Sequence, residues 1–301
     1  MDGKTLNVMK KVYFLSVLAL SLCMAHSCED YRDDYLLGNT VYIRPDATPV
    51  RNCSVYSPVQ EFGVIRSGAL KDGGEVRLGT SATLLVKYNI ASGTKYGNMP
   101  SSQFSLGNDV LDFGSDDACL LSTVSWDADA LAARIASSKD DLVIPLSIVD
   151  AQLPVVQDRN LLIIRPVIPS YSMSVSSVRV SLQQGDKNPR QGSATIVLDY
   201  PLSDRELTLG LTHDPSLASG FRGSAAPDGF FTLTSSTVTF KAGETSADFT
   251  FSIDPAKLYD DDGGWLLSGS RVYSAPVAIS SSSVSGLSQG RTVCYIYAAA
   301  E

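Results

Sequence analysis

The chain repeats itself, and a repeat of domain size narrows the possible folds more than any other feature it carries. Residues 104–131, FSLGNDVLDFGSDDACLLSTVSWDADAL, align without a gap on residues 231–258, FTLTSSTVTFKAGETSADFTFSIDPAKL. Seven of these positions are identical, where about two would be expected from ordinary residue usage. The match resumes at 144–148 against 275–279 and closes at 157–159 against 289–291, each copy then leading into an apolar strand, 161–164 and 293–297. A unit of this length points to tandem domains, because solenoid units run only about 20–50 residues.

Inside the unit the period is two. Phe249, Phe251 and Ile253 alternate with Asp248, Thr250 and Ser252, the pattern of a half-buried strand. Further strands are expected over 75–88, broken near Gly79, and over 175–182, 194–200 and 207–212. Short strands between Gly, Ser, Asn and Asp turns predict an all-β chain of two tandem immunoglobulin-like antiparallel β-sandwiches. One helix is expected, over 128–137 behind the capping residue Asp127, matched in the second copy by 255–259 behind Asp254. The two modules are placed at 39–168 and 169–301, divided at Pro166-Val167-Ile168-Pro169, where two prolines limit continuation of the strand.

Ahead of the modules, Lys10 and Lys11 precede an apolar run over 12–25, the n-region and h-region of a secretory signal. A bilayer span takes about 20 apolar residues, so export and cleavage fit this run better than a permanent span. Ala25-His26-Ser27-Cys28 then supplies small residues and a cysteine where a bacterial lipoprotein signal is cut. Residues 1–27 are accordingly expected to be signal, with Met9 an alternative start, and Cys28 to carry the acyl chains that hold the protein to a membrane. Cys23 competes for that role but lies inside the apolar run. Residues 28–38 open with Glu29-Asp30-Tyr31-Arg32-Asp33-Asp34 after the cysteine, an acidic stretch expected to form a solvated tether.

Removing the signal leaves 274 residues, with a net charge near −10. Nucleic acid is thereby excluded as an expected partner, since no basic face is available to displace counterions. The remaining cysteines, Cys53, Cys119 and Cys294, show no Cys-x-x-Cys spacing for zinc or redox work, and their spacing does not select a pair. No cofactor is expected. His213 is the single histidine outside the signal, and nothing around Thr212-His213-Asp214-Pro215 marks a nucleophile turn, so no catalytic residue is assigned. A glycosidase would need only two facing carboxylates about 5–10 Å apart, but the acids here cluster in turns. Asp260, Asp261 and Asp262, followed by two glycines, form a candidate calcium segment that lacks the alternate spacing of an EF-hand. Of the two tryptophans, Trp126 falls on the inward register of Ser122 and Val124, opposite Ile253 in the other copy, and is expected in the core. Trp265 lies where the second copy is about four residues longer than the first. It is the candidate ligand-binding ring, with capping of the sandwich edge as the other role open to it.

The acidic stretch after a lipid-type cysteine, Val64-Ile65-Arg66-Ser67-Gly68, Lys87-Tyr88-Asn89, Gly93-Thr94-Lys95-Tyr96, Met99-Pro100 and the segment 104–165 together resemble a family of Bacteroides-type surface lipoproteins with immunoglobulin-like modules of unknown function. The resemblance covers most of the first module and, in the second, mainly 231–297. It implies a protein lipid-anchored to the outer membrane, facing the cell exterior, beside glycan uptake systems of the starch-utilisation type. Glycan or outer-membrane transport components would be its partners. A non-catalytic accessory of glycan binding or uptake is the function so implied, with a structural or adhesive surface protein as the first alternative and a glycoside hydrolase as the second.

Overall fold

The computed structural model describes residues 38–44, 46–68, 73–221, 223–267 and 271–301; Cys28 and the signal lie outside them. The first module comprises β1 (Thr40–Ile43), β2 (Val50–Ser54), β3 (Val59–Ser67), β4 (Gly74–Thr80), α1 (Ala82–Ser92), β5 (Tyr96–Asn98), β6 (Ser105–Leu106), β7 (Val110–Phe113), β8 (Cys119–Ser125), α2 (Ala128–Ser137), β9 (Asp141–Ala151) and β10 (Leu162–Val167). The second comprises β11 (Ser170–Met173), β12 (Ser177–Leu182), β13 (Arg190–Leu198), β14 (Leu207–His213), β15 (Ser224–Ala225), β16 (Phe231–Leu233), β17 (Thr237–Phe240), β18 (Ser246–Ile253), β19 (Val272–Ser282), β20 (Ser288–Gln289) and β21 (Val293–Ala300).

Each module is a sandwich of two sheets, and the strand orders correspond one to one. In the first, β1-β3-β8-β6 faces β2-β10-β9-β4-β7; in the second, β16-β18-β13-β11 faces β12-β21-β19-β14-β17, with β20 added beside β11. The repeat therefore extends through the whole module, beyond the part legible as sequence identity. Pairing is antiparallel except where β2 joins β10, β12 joins β21, β11 joins β20, and β5 and β15 join β9 and β19. A register shift bends β4 between Arg77 and Leu78 and β14 between Gly210 and Leu211, the same point of the repeat. Both modules also place a proline in their longest strand. The carbonyls of Pro145 and Pro276 accept from the amides of Ser81 and Asp214, the residues that turn β4 and β14 into the helical segments behind them.

Alternation builds the core as expected. Phe249, Phe251 and Ile253 are buried at about 1% exposure from β18, and Ser122 and Val124 point inward from β8. Asp127 and Asp254 cap their segments, accepting from the amides of Ala130 at 2.8 Å and Ala256 at 3.0 Å. The capped elements differ in length: α2 runs ten residues, whereas its counterpart is a single 3-10 turn, Pro255–Leu258.

Two expectations are corrected. The segment 75–88 is not one strand, because β4 ends at Thr80 and α1 follows, capped by Ser81 Oγ on the amide of Leu84 and closed by Gly93 at φ 69°. A capping serine and a left-handed glycine mark this helix, but Val86 and Ile90 are exposed, so the apolar stripe that usually announces a helix is missing. At the module boundary Pro166 does not stop β10, which continues to Val167 beside β2. Its antiparallel pairing with β9 ends at Ile164, so the missing N–H of Pro166 falls beyond that ladder.

The modules meet in a polar joint. The Tyr56 ring is buried beneath the Arg205 guanidinium, 4.7 Å away, and Arg205 bridges Asp129 of α2 at 2.7 Å and its neighbour Asp204 at 2.8 Å. Ser203 donates its amide to the carbonyl of Tyr56 at 2.8 Å, and the hydroxyls of Ser57 and Ser203 are also 2.8 Å apart.

Candidate functional site

Trp126 lies where the repeat places it. It is 8% exposed, packs in the core, and donates its indole N–H to the carbonyl of Val55 at 2.8 Å. That bond satisfies the one polar atom of an otherwise apolar side chain. Trp265 is half-buried against the core, its ring 5.0 Å from that of Tyr259, and the two residues form a backbone bridge across the turn 260–264.

The three aspartates lie within that turn. Asp260 Oδ1 accepts from the amides of Asp262 at 3.1 Å and Gly264 at 2.5 Å, so its carboxylate holds the turn closed. Gly263 takes φ 78°, where a side chain would be strained. Among the described residues no three His, Cys, Asp or Glu side chains converge as metal ligands. His213 ends β14, half-buried, with its ring 4.8 Å from that of Phe231, and burial pushes its pKa below the usual 6.5 against the opposing pull of Asp214. The thiols of Cys53, Cys119 and Cys294 are free; burial pushes Cys53 up to about 12 and Cys294 up to about 11, which keeps both protonated and inert. Three acids are held below the usual carboxylate range: Asp46 by its hydrogen bond from Arg51, Asp129 by that from Arg205, and Asp186 by the amide of Gln183. Ion pairs and a turn explain all three.

The feature that sequence reasoning missed is an open recess of about 260 Å³ in the first module, between the turn Ser101–Gln103 and the start of α2. Ser102, Gln103, Ser105, Ser125 and Asp127 line it together with Phe104 and Trp126. The signal for it was present in the repeat, in the two residues just ahead of the aligned segment. Gln103 stands where the second copy has Phe230, and both residues close equivalent turns, their amides bonding the carbonyls of Pro100 and Pro227.

A family model described as "-like, N-terminal domain" matches residues 160–286, fewer than half of the chain and mostly second module. No functionally curated protein matches. Among solved structures, CBD12 from CALX1.2 is similar at 9% identity and a TM-score of 0.43, over 85% of this chain and 99% of that one. A putative carbohydrate binding protein from Bacteroides ovatus is 14% identical with a TM-score of 0.34, over 82% of this chain and 70% of its own. A two-domain protein of unknown function from Bacteroides fragilis is 13% identical with a TM-score of 0.35, over 75% and 92%.

Proposed function

We propose that the protein is a non-catalytic lipoprotein of the outer-membrane surface, anchored through Cys28, that serves as an accessory of glycan capture. The observation that carries this reading is the order of parts along the chain: a Lys-Lys pair and an apolar run ending at a lipid-type cysteine, an acidic stretch, then two sandwiches joined through Tyr56 and Arg205. Such an arrangement suits holding a binding surface away from a membrane. The glycan follows from the resemblance of residues 28–165 to surface lipoproteins that sit beside glycan uptake systems. The ion pair and hydrogen bonds across that joint favour a second reading, a structural spacer that presents other proteins.

Two measurements test the proposal. Cys28→Ala should move the protein from the membrane fraction to the soluble fraction, because one cysteine would carry all the acyl chains; radiolabelled fatty acid persisting on that variant would overturn the anchor. Affinity electrophoresis of the mature chain in gels containing starch, mannan, xylan or pectin should show retardation by at least one polysaccharide. Free migration in all of them, with a cooperative unfolding transition confirming the fold, would leave the spacer reading.

A further inference from the structure

We infer that the recess beside Trp126 is a binding site for one neutral, polyhydroxylated ring, the size of a single sugar unit. The inference rests on the glycan reading above and assigns it a place. Three observations carry it.

The first is how the recess arises. In the second module Phe230 is fully buried, and β16 pairs with β18 from Phe231–Ile253 onward through three residue pairs. In the first module Gln103 replaces the phenylalanine, and β6 pairs with β8 through two residue pairs only, beginning at Ser105–Ser125. The pair Phe104–Trp126, equivalent to Phe231–Ile253, is thus left out of the ladder. One module closes this corner with an aromatic ring while the other leaves it open and polar.

The second is the state of the lining. Among the described residues, no internal hydrogen bond takes up the side chains of Ser102, Gln103, Ser105 or Ser125. Asp127 commits Oδ1 to the amide of Ala130, and its other oxygen carries no such bond. These groups offer donors and acceptors together, as hydroxyl-bearing ligands require, since each ligand hydroxyl both gives and receives. Trp126, 8% exposed, and Phe104, partly buried against the core, are the apolar residues beside them.

The third is charge and size. One carboxylate and no cation line the recess, so an anionic ligand would meet repulsion and a divalent cation would lack the several oxygens it needs. Drug-sized ligands occupy about 300–1,000 Å³, whereas about 260 Å³ suits one ring of a longer chain whose remainder stays in solvent.

The test uses the mature chain and the polysaccharide that retards it most in affinity electrophoresis. Ala130, exposed on α2 at the rim, becomes Phe to block the recess, and Gln103 becomes Ala to remove the amide without filling it. Both variants should fold, as judged by their unfolding transitions, with at least tenfold weaker binding for Ala130→Phe and several-fold weaker binding for Gln103→Ala. In a Trp265→Phe background, where Trp126 is the one remaining tryptophan, the ligand should shift the fluorescence of Trp126. Wild-type affinity in both folded variants, with no fluorescence change, would overturn this site while leaving the glycan reading intact. Absence of binding by the wild type itself would instead overturn the glycan reading, and this assignment with it.

Discussion

The first and second modules share strand order, the register shift in β4 and β14, the proline in β9 and β19 and the capping aspartates, yet they fill these frames with different bulk. At one corner the second module pairs Ile253 in the strand with Phe230 in the turn, both buried, whereas the first pairs Trp126 in the strand with Gln103 in the turn. The large ring has changed position between copies. Behind β4 and β14 the contrast is of length: α1 lays eleven residues over the outer face of its sheet, with Leu85 buried against Val143 and Ile163, where the second module has the short turn Pro215–Gly220. Backbone devices that set the topology are retained, and side chains that only need to fill space are exchanged, as expected when volume can be supplied from either of two neighbouring positions.

The sharpest way to break this comparison is to remove the displaced ring. Trp126→Ala should destabilise the protein by about 3–5 kcal/mol, the usual cost of truncating a buried large aromatic, and it also leaves the carbonyl of Val55 without its donor. Trp265→Ala should cost roughly 1–2 kcal/mol, because that ring is half-buried, packed against the core and against Tyr259. Denaturant unfolding of both variants measures the gap. Equal losses would mean that Trp126 is not the ring that fills the first core.

That contrast also shows why the frame was legible in the sequence while the recess was not. Alternation such as Phe249-Thr250-Phe251 reports directly which face of a strand is buried, and Asp127 and Asp254 announce their caps by type and spacing, so the sandwich class and two of the helical segments could be placed. α1 escaped because its sequence, ATLLVKYNIAS, carries apolar residues on several faces and its packing against β9 and β10 involves chiefly Leu85. The recess escaped because it is defined by an absence at Gln103, visible only once the turns at Pro100 and Pro227 are known to be equivalent. The joint at Tyr56 and Arg205 depends on residues 149 apart in the chain, and no periodicity brings them together.

A second, smaller test concerns a buried cation. Arg66 is 2% exposed, donates to the carbonyl of Ser115 at 2.8 Å and lies over the Phe113 ring. Its equivalent is Leu198: the amides of Arg66 and Leu198 bond the carbonyls of Ala118 and Thr245, which correspond in the repeat. Arg66→Ala should cost about 2–3 kcal/mol through the lost charged hydrogen bond and side-chain packing. Arg66→Leu, the residue of the other copy, should fall within about 1 kcal/mol of wild type, since replacing a buried ionic group by an apolar one of similar bulk is often near neutral. Leucine proving as damaging as alanine would show that the guanidinium is required at this position, and that the two cores are not interchangeable there.

The smallest expected effect separates the modules by pH. His213 closes β14 where Thr80 closes β4, so the second module alone carries a titrating group at this position. Burial against Phe231 lowers its pKa in the folded state below 6.5, with Asp214 partly opposing. Above pH 6.5 folded and unfolded chains are both neutral at this residue, and the neutral ring contributes its full packing. As pH falls through 6.5 the unfolded chain takes up the proton first, so stability drops, and the loss levels off once the pH passes the lowered folded value. The carboxylates of Asp46, Asp129 and Asp186, held below 3.8, lose their contributions only at lower pH, which separates the two windows. His213→Thr should therefore flatten the decline in melting temperature between pH 7 and pH 5, a change of no more than about 2 °C, and leave the steeper decline below pH 4 in place. An unchanged slope between pH 7 and pH 5 in that variant would show that the ring is solvated in the folded protein and that this end of the second module is as indifferent to pH as its counterpart at Thr80.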